Sequence, residues 1–167
     1  MTRLVSRTDE VWINANVLPR NSMSNAVMWK SSNAKIAQVK GEKLDFSGGK
    51  TGTVTLTATS TDGSKATATV KLIVVNAVWG VKITNGDARL TAGKKLTLKA
   101  EINPEFATNK KLVWSIRPED AAYATISQKG VVTAKKVTDF HVIRVMVTSA
   151  ENEFASAWTN VYLYPAS

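Results

Sequence analysis

One segment of this chain repeats after a shift of 85 residues, and this repeat constrains the fold more than any other feature. With that shift, Val11–Lys30 aligns without a gap on Leu96–Ser115. Pro19 then aligns with Pro104 and Trp29 aligns with Trp114. Self-similarity along a sequence indicates that one structural unit occurs more than once. The chain is therefore predicted to contain two copies of one small unit.

Alternation of polar and apolar residues predicts that both units consist of β-strands. Residues 53–59 read Thr-Val-Thr-Leu-Thr-Ala-Thr, which is the period of a strand that is buried on one face. Asp62-Gly63 follows and suits a hairpin turn whose central residues need positive φ. The alternation resumes from Ala66 to Val74, and no window has helical periodicity. About seven short strands per unit predict an all-β fold of two antiparallel sandwiches.

The repeat also predicts the division of the chain, with unit one at 1–77 and unit two at 78–167. Trp29 and Trp114 are in phase with inward-facing apolar residues, and we expect both to fill cores. The strands of unit one are predicted near 3–6, 11–17, 26–31, 36–39, 43–46, 53–60 and 65–75. Those of unit two are predicted near 81–84, 88–91, 95–102, 111–116, 123–126, 131–134, 141–149 and 154–164.

Several motifs in both units resemble the bacterial Ig-like domain of group 2. In unit two they are Leu90 to Pro104, Val113-Trp114-Ser115, Ala124-Thr-Ile126 and Gly130-Val-Val-Thr-Ala134. In unit one they are Pro19, Trp29-Lys-Ser-Ser32, Ile36-Ala-Gln-Val39 and Gly52 to Thr59. The resemblance covers about nine tenths of the chain and implies two tandem immunoglobulin-like β-sandwich domains. Unit two departs from the family at Thr138-Asp139-Phe140, where a glycine-containing turn is usual.

This resemblance implies a non-catalytic structural or interaction protein and leaves two functions open. The family occurs in phage virion proteins, bacterial surface proteins and adhesins, and as accessory modules of carbohydrate-active enzymes. The first function is a phage virion component, such as a capsid or tail decoration. The second is a fragment of a bacterial cell-surface adhesin or a carbohydrate-binding accessory module. The start at Met1 and the lack of an export signal favour the first. The expected location is accordingly the virion, or the extracellular bacterial cell surface.

The residue inventory gives no support for an enzyme or a cofactor. The chain has no cysteine, which excludes thiolate chemistry, and no serine is placed against its one histidine, His141, and a carboxylate as nucleophilic catalysis requires. No phosphate-binding loop and no calcium loop of the EF-hand kind is present. We therefore expect no catalysis, no metal and no cofactor.

The net charge of +9 is spread evenly over the two units. Residues 1–78 carry ten Lys or Arg against five Asp or Glu, and residues 79–167 carry twelve against eight, giving +5 and +4. Nucleic-acid binders usually concentrate their charge on one face, so no specific nucleic-acid binding is expected. No apolar run approaches the length of a membrane span, so no membrane insertion is expected.

The last strand of unit two carries the clearest interaction signal. Its inward residues are Ala155, Ala157, Thr159, Val161 and Leu163, and period two sends the residues between them outward. Aromatic residues, Met and Arg are enriched where proteins bind partners. The corresponding face of unit one carries threonines and lysines. We therefore predict an interface patch for a protein partner or self-association, with a surface glycan as a narrower alternative. Its predicted members are Phe154, Trp158, Tyr162, Tyr164, Met146 and Arg144.

Unit one has no counterpart of the first strand of unit two, since that segment would begin before Met1. The strand near 11–17 is then expected to expose its backbone on a sheet edge. Val11, Trp12 and Ile13 are the candidate residues for pairing with another chain. Three origins of the missing strand stay open: a neighbouring subunit supplies it, Met1 to Ser6 form a short substitute, or the start of the chain has cut it off.

Two lysine pairs of unit two are predicted to meet at one end of its sandwich. Lys94 and Lys95 lie in one loop, and Lys135 and Lys136 lie in another. Because the strand order of such a sandwich places both loops at the same end, we expect a basic pole there. It either remains solvated or docks on an acidic protein or a polyanionic glycan.

Overall fold

The computed structural model describes residues 2–18 and 25–166. It divides into two compact units, Met1–Asn76 and Ala77–Ser167. Their regular secondary structure is nearly all β-strand, as the alternation predicts, and the sheets do not close into barrels. Within the described residues, no helix has the length and apolar character needed to cross a membrane.

Unit one consists of a four-stranded sheet and a short hairpin. The sheet has the order β1-β6-β5-β2, in which β1 runs parallel to β6 and the other pairs are antiparallel. The hairpin pairs β3 with β4. The strands are β1 Thr2–Ser6, β2 Val27–Ser31, β3 Gln38–Lys40, β4 Lys43–Asp45, β5 Gly52–Ser60 and β6 Thr67–Val75.

Unit two is a more complete sandwich. One face is a four-stranded sheet in the order β11-β14-β15-β8, where β8 runs parallel to β15. Opposite it lie a three-stranded sheet, β12-β13-β9, and the antiparallel pair β10-β7. The strands are β7 Gly80–Ile83, β8 Ala88–Thr91, β9 Lys95–Thr97, β10 Ala100–Asn103, β11 Leu112–Ile116, β12 Ala124–Ile126, β13 Val131–Ala134, β14 His141–Ser149 and β15 Ser156–Tyr164.

Period-two burial produces both cores. In β5, Val54, Leu56 and Ala58 are buried while the threonines between them are more exposed. This pattern removes one apolar side chain from water at every second position, at about 25 cal/mol per Å2. The turn after β5 contains Asp62 and Gly63, and Gly63 has φ +91°. The predicted hairpin is confirmed, since β5 and β6 pair along their length. The predicted turn is wrong in detail, because residues 61–65 form the loop and the second residue with positive φ is Lys65 rather than Asp62.

The two repeat tryptophans differ in burial. Trp114 is only 6% exposed and belongs to the core of unit two, as predicted. Trp29 packs against the core of unit one but remains half-buried. It lies beside an open cleft of that unit, so its core prediction holds in part. Pro19 lies outside the described residues.

A short 3-10 helix, Pro118–Ala122, was not indicated by the sequence pattern. The buried carboxylate of Asp120 fixes it. Asp120 accepts two hydrogen bonds from the Arg117 guanidinium, at 2.7 and 3.0 Å, and one from the backbone amide of Arg144, at 2.9 Å. A five-residue helix is too short to show helical periodicity in a sequence.

The strand predicted at 11–17 does not form as such. Residues 11–13 are held to β4: the amide of Leu44 donates to Val11, Ile13 donates to Glu42, and Trp12 bridges to Lys43. The backbone of Val11 and Ile13 is thus already paired within unit one, contrary to the exposed edge predicted for Val11, Trp12 and Ile13, and their pairing with another chain stays a prediction. A strand needs a partner for its backbone groups, and residues 14–18 have no strand of the described chain beside them.

Candidate functional site

The outer face of the sheet β11-β14-β15-β8 is the candidate site. Trp158 is 59% exposed, Met146 45% and Tyr164 37%; Arg144 is exposed and Tyr162 is half-buried. The residues between them point inward, and Val161 and Leu163 are fully buried. The outward phase predicted for these side chains is thus confirmed. Their role as an interface stays a prediction.

Trp158 lies at the centre of this face with a cation beside it. The guanidinium carbon of Arg144 is 4.4 Å from the centroid of the Trp158 ring. Met146 lies directly across from Trp158 on β14. Such a cation–π contact contributes about 0.5–1 kcal/mol at an exposed site. The tryptophan ring is therefore held in place on the surface while much of it remains accessible.

A second aromatic group lies toward the end of β15, and it includes a residue that the sequence pattern did not single out. The Phe140 ring is 6.4 Å from Tyr162 and 5.2 Å from Tyr164, centroid to centroid. The Arg89 guanidinium carbon lies 5.8 Å from the centroid of the Tyr164 ring. Phe140 directly precedes β14 and is 53% exposed. It shares the parity of Arg144 and Met146, so extending the outward phase by two steps, through Val142, would have found it.

Phe154 does not join either group. It lies in the turn before β15, where its amide donates to the Asn152 side chain, and it is 90% exposed. No ring or cation contact involves it within the described residues. The predicted patch therefore has two packed groups along β14 and β15, and one separate aromatic side chain at the turn.

The corresponding face of unit one is mainly polar. Thr67, Thr69 and Lys71 are exposed along β6. Three apolar side chains interrupt it: Leu4 and its cross-strand neighbour Ile73, and Met28. No aromatic side chain of the described residues lies on it, so the aromatic surface belongs to unit two.

The two lysine-bearing loops of unit two meet as predicted. The amide of Gly93 donates to Ala134 at 3.2 Å, and the amide of Ala134 donates to Lys94 at 3.0 Å. Lys94, Lys95, Lys135 and Lys136 are all exposed. One of these lysines is hydrogen-bonded: the Lys135 ammonium donates to the carbonyl oxygen of Ala121 at 2.7 Å. Whether this pole binds an anionic partner stays a prediction.

His141 and the carboxylates form no metal-holding group in the part of the chain that the structure describes. The imidazole of His141 stacks on the Tyr123 ring at 3.9 Å. No group of three or more His, Asp or Glu side chains among residues 2–18 and 25–166 is placed to hold a metal ion.

Two curated relatives resemble this chain in sequence. An uncharacterized protein of Clostridium acetobutylicum is 28% identical over 160 residues, which are 96% of this chain and 16% of that protein. An "Ig-like virion protein" of Serratia phage KSP90 is 33% identical over 117 residues, 68% of this chain and 44% of that protein. The chain thus spans less than half the length of either relative.

Solved structures that resemble this chain include the EC1-3 region of mouse clustered protocadherin PcdhgC3. It is 15% identical and has a TM-score of 0.49, covering 100% of this chain and 66% of that one. The S-layer protein rSbsC is 14% identical with a TM-score of 0.44, covering 84% of this chain and 20% of that one. Likenesses at these scores do not bear on function.

The family model of the bacterial Ig-like domain, group 2, matches residues 8–70 and again residues 77–155. Domains of this kind are generally non-enzymatic. The two matches cover most of the chain and fall one in each unit. The chain therefore belongs to the group 2 bacterial Ig-like domain family and contains two tandem copies of that domain.

Proposed function

We propose that this chain is a non-catalytic structural component of a phage virion, located on the capsid or the tail, and that unit two binds a protein of that particle. One observation carries the proposal: the outer sheet face that is mainly polar in unit one is aromatic in unit two. Trp158, Tyr164 and Phe140 are exposed there, although burying them would remove large apolar areas from water. Exposed contiguous apolar patches usually mark interaction sites. The similarity to a protein named as a virion protein supports the particle as the partner.

The first test is the composition of the particle. Particles made by the genome that encodes the chain are purified and analysed by mass spectrometry. We expect the chain in many copies per particle, released only under conditions that break non-covalent contacts. Its absence from purified particles would contradict the proposal.

The second test locates the binding face. Particles are prepared from a genome that lacks the gene, and purified chain is added back. We expect Trp158→Ala to weaken rebinding at least about tenfold, the usual scale of an interface hot spot. Met28→Ala is the matched control, because Met28 is 68% exposed on the corresponding face of unit one. Equal rebinding of wild type and Trp158→Ala would contradict the assignment of this face.

Weaker rebinding of Trp158→Ala can be assigned to the binding face only if this variant is still folded. Trp158→Ala removes an exposed side chain and one cation–π contact, so we expect a loss of no more than about 1 kcal/mol in unfolding free energy. Light scattering over a concentration series gives the solution mass of each variant. A mass that rises with concentration for wild type but not for Trp158→Ala would show that the same face also joins copies of the chain.

A second candidate function has its own support. An exposed aromatic ring on a flat sheet can stack on sugar rings, and Trp158 and Phe154 are both available for this. The chain would then be part of a bacterial cell-surface adhesin or a carbohydrate-binding accessory module. Calorimetric titration with neutral hexasaccharides tests it. Saturable binding that Trp158→Ala abolishes would favour this function over the virion.

A further inference from the structure

Within the described strands, two arginines are the only charged residues at the outward positions of the sheet β11-β14-β15-β8. Arg144 lies on β14 and Arg89 lies on β8, one on each side of β15. Both side chains are exposed. In the described chain neither of them makes an ion pair with a carboxylate. This face of unit two therefore presents two uncompensated positive charges and no negative one.

An aromatic ring lies beside each of the two guanidinium groups. The guanidinium carbon of Arg144 is 4.4 Å from the centroid of the Trp158 ring, and that of Arg89 is 5.8 Å from the centroid of the Tyr164 ring. A guanidinium that lies over a ring keeps the N–H donors at its edge, where they match the two oxygens of a carboxylate. The ring also restricts the side chain before an anion binds, which lowers the entropy lost on binding. Both pairs are thus prearranged to bind carboxylates.

The carboxylates nearest to these arginines along the chain and in the hydrogen-bond network have other partners. Asp120 accepts the backbone amide of Arg144, but its carboxylate is buried and binds the Arg117 guanidinium. Asp139 is exposed in the loop before β14, where it accepts the Thr138 hydroxyl at 2.9 Å. Neither forms an ion pair with an arginine of the outer face. The described residues therefore supply no counter-charge to this face.

The two guanidinium groups are well separated. Arg144 and Arg89 lie on opposite sides of β15 and two residues apart in its register, so their Cα atoms are about 12 Å apart. Their guanidinium groups lie beside the rings of Trp158 and Tyr164, whose Cα atoms are about 20 Å apart along β15. Tyr162 lies between them on the same face. A complementary surface therefore has two carboxylates separated by about 12–20 Å and apolar side chains between them.

A second copy of this chain does not fit that description. In a two-fold interface both partners contribute the same surface, so Arg144 and Arg89 would face the same two arginines. Like charges brought together in this way oppose association, and the net charge of +9 acts in the same direction. The residues that the structure does not describe, 1, 19–24 and 167, include no Asp or Glu. The complementary occupant is therefore acidic, unlike this chain.

The basic pole adjoins the Arg89 end of this face. The amide of Ala92 donates to the carbonyl oxygen of Tyr164 at 2.8 Å, and Lys94 and Lys95 follow shortly after Ala92. The exposed lysines extend the positive field beyond the face itself. An acidic partner is thus attracted before it covers the rings, which raises its rate of association.

We infer that the outer face of unit two is a docking surface for an acidic segment of a partner protein. The segment places one carboxylate on Arg144, another on Arg89, and apolar side chains on the rings between them. This inference rests on the proposed function in taking the partner to be a protein, and it adds the chemistry that this protein carries. It also excludes a second copy of the chain as the occupant.

The test uses three heptapeptides that are blocked at both termini and share an alternating pattern. The first is Glu-Thr-Leu-Thr-Leu-Thr-Glu, which when extended turns its two carboxylates, about 20 Å apart, and its two leucines to one side. The second has glutamine in place of both glutamates. The third, Leu-Thr-Glu-Thr-Glu-Thr-Leu, has the composition of the first with its carboxylates at the centre. Each is titrated into the full chain and followed by chemical shifts of the backbone amides, the Trp158 indole N–H and the arginine Nε–H groups.

We expect saturable binding of the first peptide, and binding at least about tenfold weaker for the other two. The shifted signals should include the Nε–H groups of Arg144 and Arg89 and the indole N–H of Trp158. The double variant Arg89→Gln, Arg144→Gln should weaken binding of the first peptide at least about tenfold. It keeps the backbone amide that Asp120 accepts, so unit two should remain folded, and unchanged amide shifts away from the face check this.

Two further variants separate recognition by the arginines from general attraction to a basic protein. Lys71→Gln is the matched control, because Lys71 is exposed on the corresponding face of unit one; it should change the affinity less than about twofold. The double variant Arg89→Lys, Arg144→Lys keeps both charges but loses the planar fork of donors. It should still weaken binding at least about threefold.

Three results would overturn the inference. One is binding of the first peptide that is no tighter than that of the other two, including no binding of any. Another is binding of hexagalacturonate, a carboxylated glycan, to the same two arginines at least about tenfold more tightly than the first peptide. The third is a solution mass that rises with concentration for the wild type but not for the double glutamine variant, since a second copy would then occupy the face. No particle enters these experiments, so their failure leaves the virion assignment standing, and absence of the chain from particles leaves their results unchanged.

Discussion

The two units of this chain share a sequence pattern but differ in how completely they are built. Unit two has β7 across its core, a buried Trp114 and an aromatic outer face. Unit one has no counterpart of that strand among its described residues, leaves Trp29 half-buried, and has a mainly polar outer face. The difference teaches that one repeat can present two kinds of surface, an aromatic sheet face in one copy and an open sheet edge in the other. The predictions below are ways to break or sharpen this comparison.

The largest expected effect is at the repeat tryptophans. Trp114→Ala should destabilise unit two by about 3–5 kcal/mol, the usual loss for an aromatic side chain in a core. Trp29→Ala should cost unit one less than about 3 kcal/mol, because part of its ring already contacts solvent at the cleft. Urea titrations followed by residue-resolved amide signals report the two units separately. Equal losses in both units would contradict the open core of unit one.

Among the described residues, the hydrogen-bonded 3-10 turn around Asp120 has no counterpart in unit one. Asp120→Ala should cost unit two about 2–3 kcal/mol, since it removes three hydrogen bonds to a buried carboxylate, two of them from a guanidinium. Glu119→Ala is the matched control, because Glu119 is exposed and contacts Arg117 only at 3.4 Å. The same urea titration measures both variants. A loss as large for Glu119→Ala would show that the charge of the loop, rather than the anchoring of Asp120, is what stabilises it.

A smaller effect is expected at the position where the inward face of unit two carries the hydroxyl of Thr159 and that of unit one carries a methyl group of Val70. Thr159 of unit two is buried, and its hydroxyl accepts the Asp87 amide at 2.7 Å; its counterpart is Val70. Thr159→Val should cost unit two about 1–2 kcal/mol by leaving that amide unpaired. Val70→Thr should cost unit one less than about 1 kcal/mol, since water can reach the new hydroxyl. Thermal unfolding of each variant measures the two stability losses. Losses of equal size would contradict the expected difference between the two units.

The smallest expected effect is a loss of stability of unit one at low pH. Hydrogen bonds from Ser60 and then Ser64 lower the pKa of Asp62 to about 2. Lys40, and then Gln38 and Ser47, hold the pKa of Asp45 well below its ordinary value. A carboxyl group whose pKa is lower in the folded state stabilises that state above its unfolded pKa, near 3.8, and loses this contribution as the pH falls.

Unit one should therefore lose stability between about pH 4 and pH 2. The double variant Asp45→Asn, Asp62→Asn should flatten this loss in unit one and leave the profile of unit two unchanged. Melting temperatures across that range, read from amide signals of each unit, provide the measurement. An unchanged slope in the double variant would mean that other carboxylates are responsible.

The sequence predicted what depends on local periodicity. The burial of Val54, Leu56 and Ala58, and the outward phase of Trp158 and Met146, follow from the geometry of a strand alone, so alternation was enough to find them. The hairpin was found because Asp62-Gly63 marks a turn, but its two-residue turn type was wrong, since residues 61–65 form a longer loop in which Gly63 and Lys65 have positive φ.

The sequence could not predict what depends on a missing or distant partner. Residues 11–17 have the alternation of a strand, but only residues 11–13 meet β4, so the ladder ends there. The helix at Pro118–Ala122 depends on a hydrogen bond that Asp120 accepts from the distant amide of Arg144. Phe140 lies just outside its strand, so its outward parity could be found in the sequence, but its contacts with Tyr162 and Tyr164 could not.

The open edge of unit one is the central claim, and native-state hydrogen exchange of the full chain tests it most directly. The comparison is between the amides of Asn14, Asn16 and Leu18 and those of their counterparts Lys99, Glu101 and Asn103. We predict rapid exchange of the first three, near the rate of exposed backbone, and slow exchange of the second three, which lie beside or within the β10-β7 ladder. Protection of Asn14, Asn16 and Leu18 as strong as that of their counterparts would show that the edge is already covered, and would contradict the account.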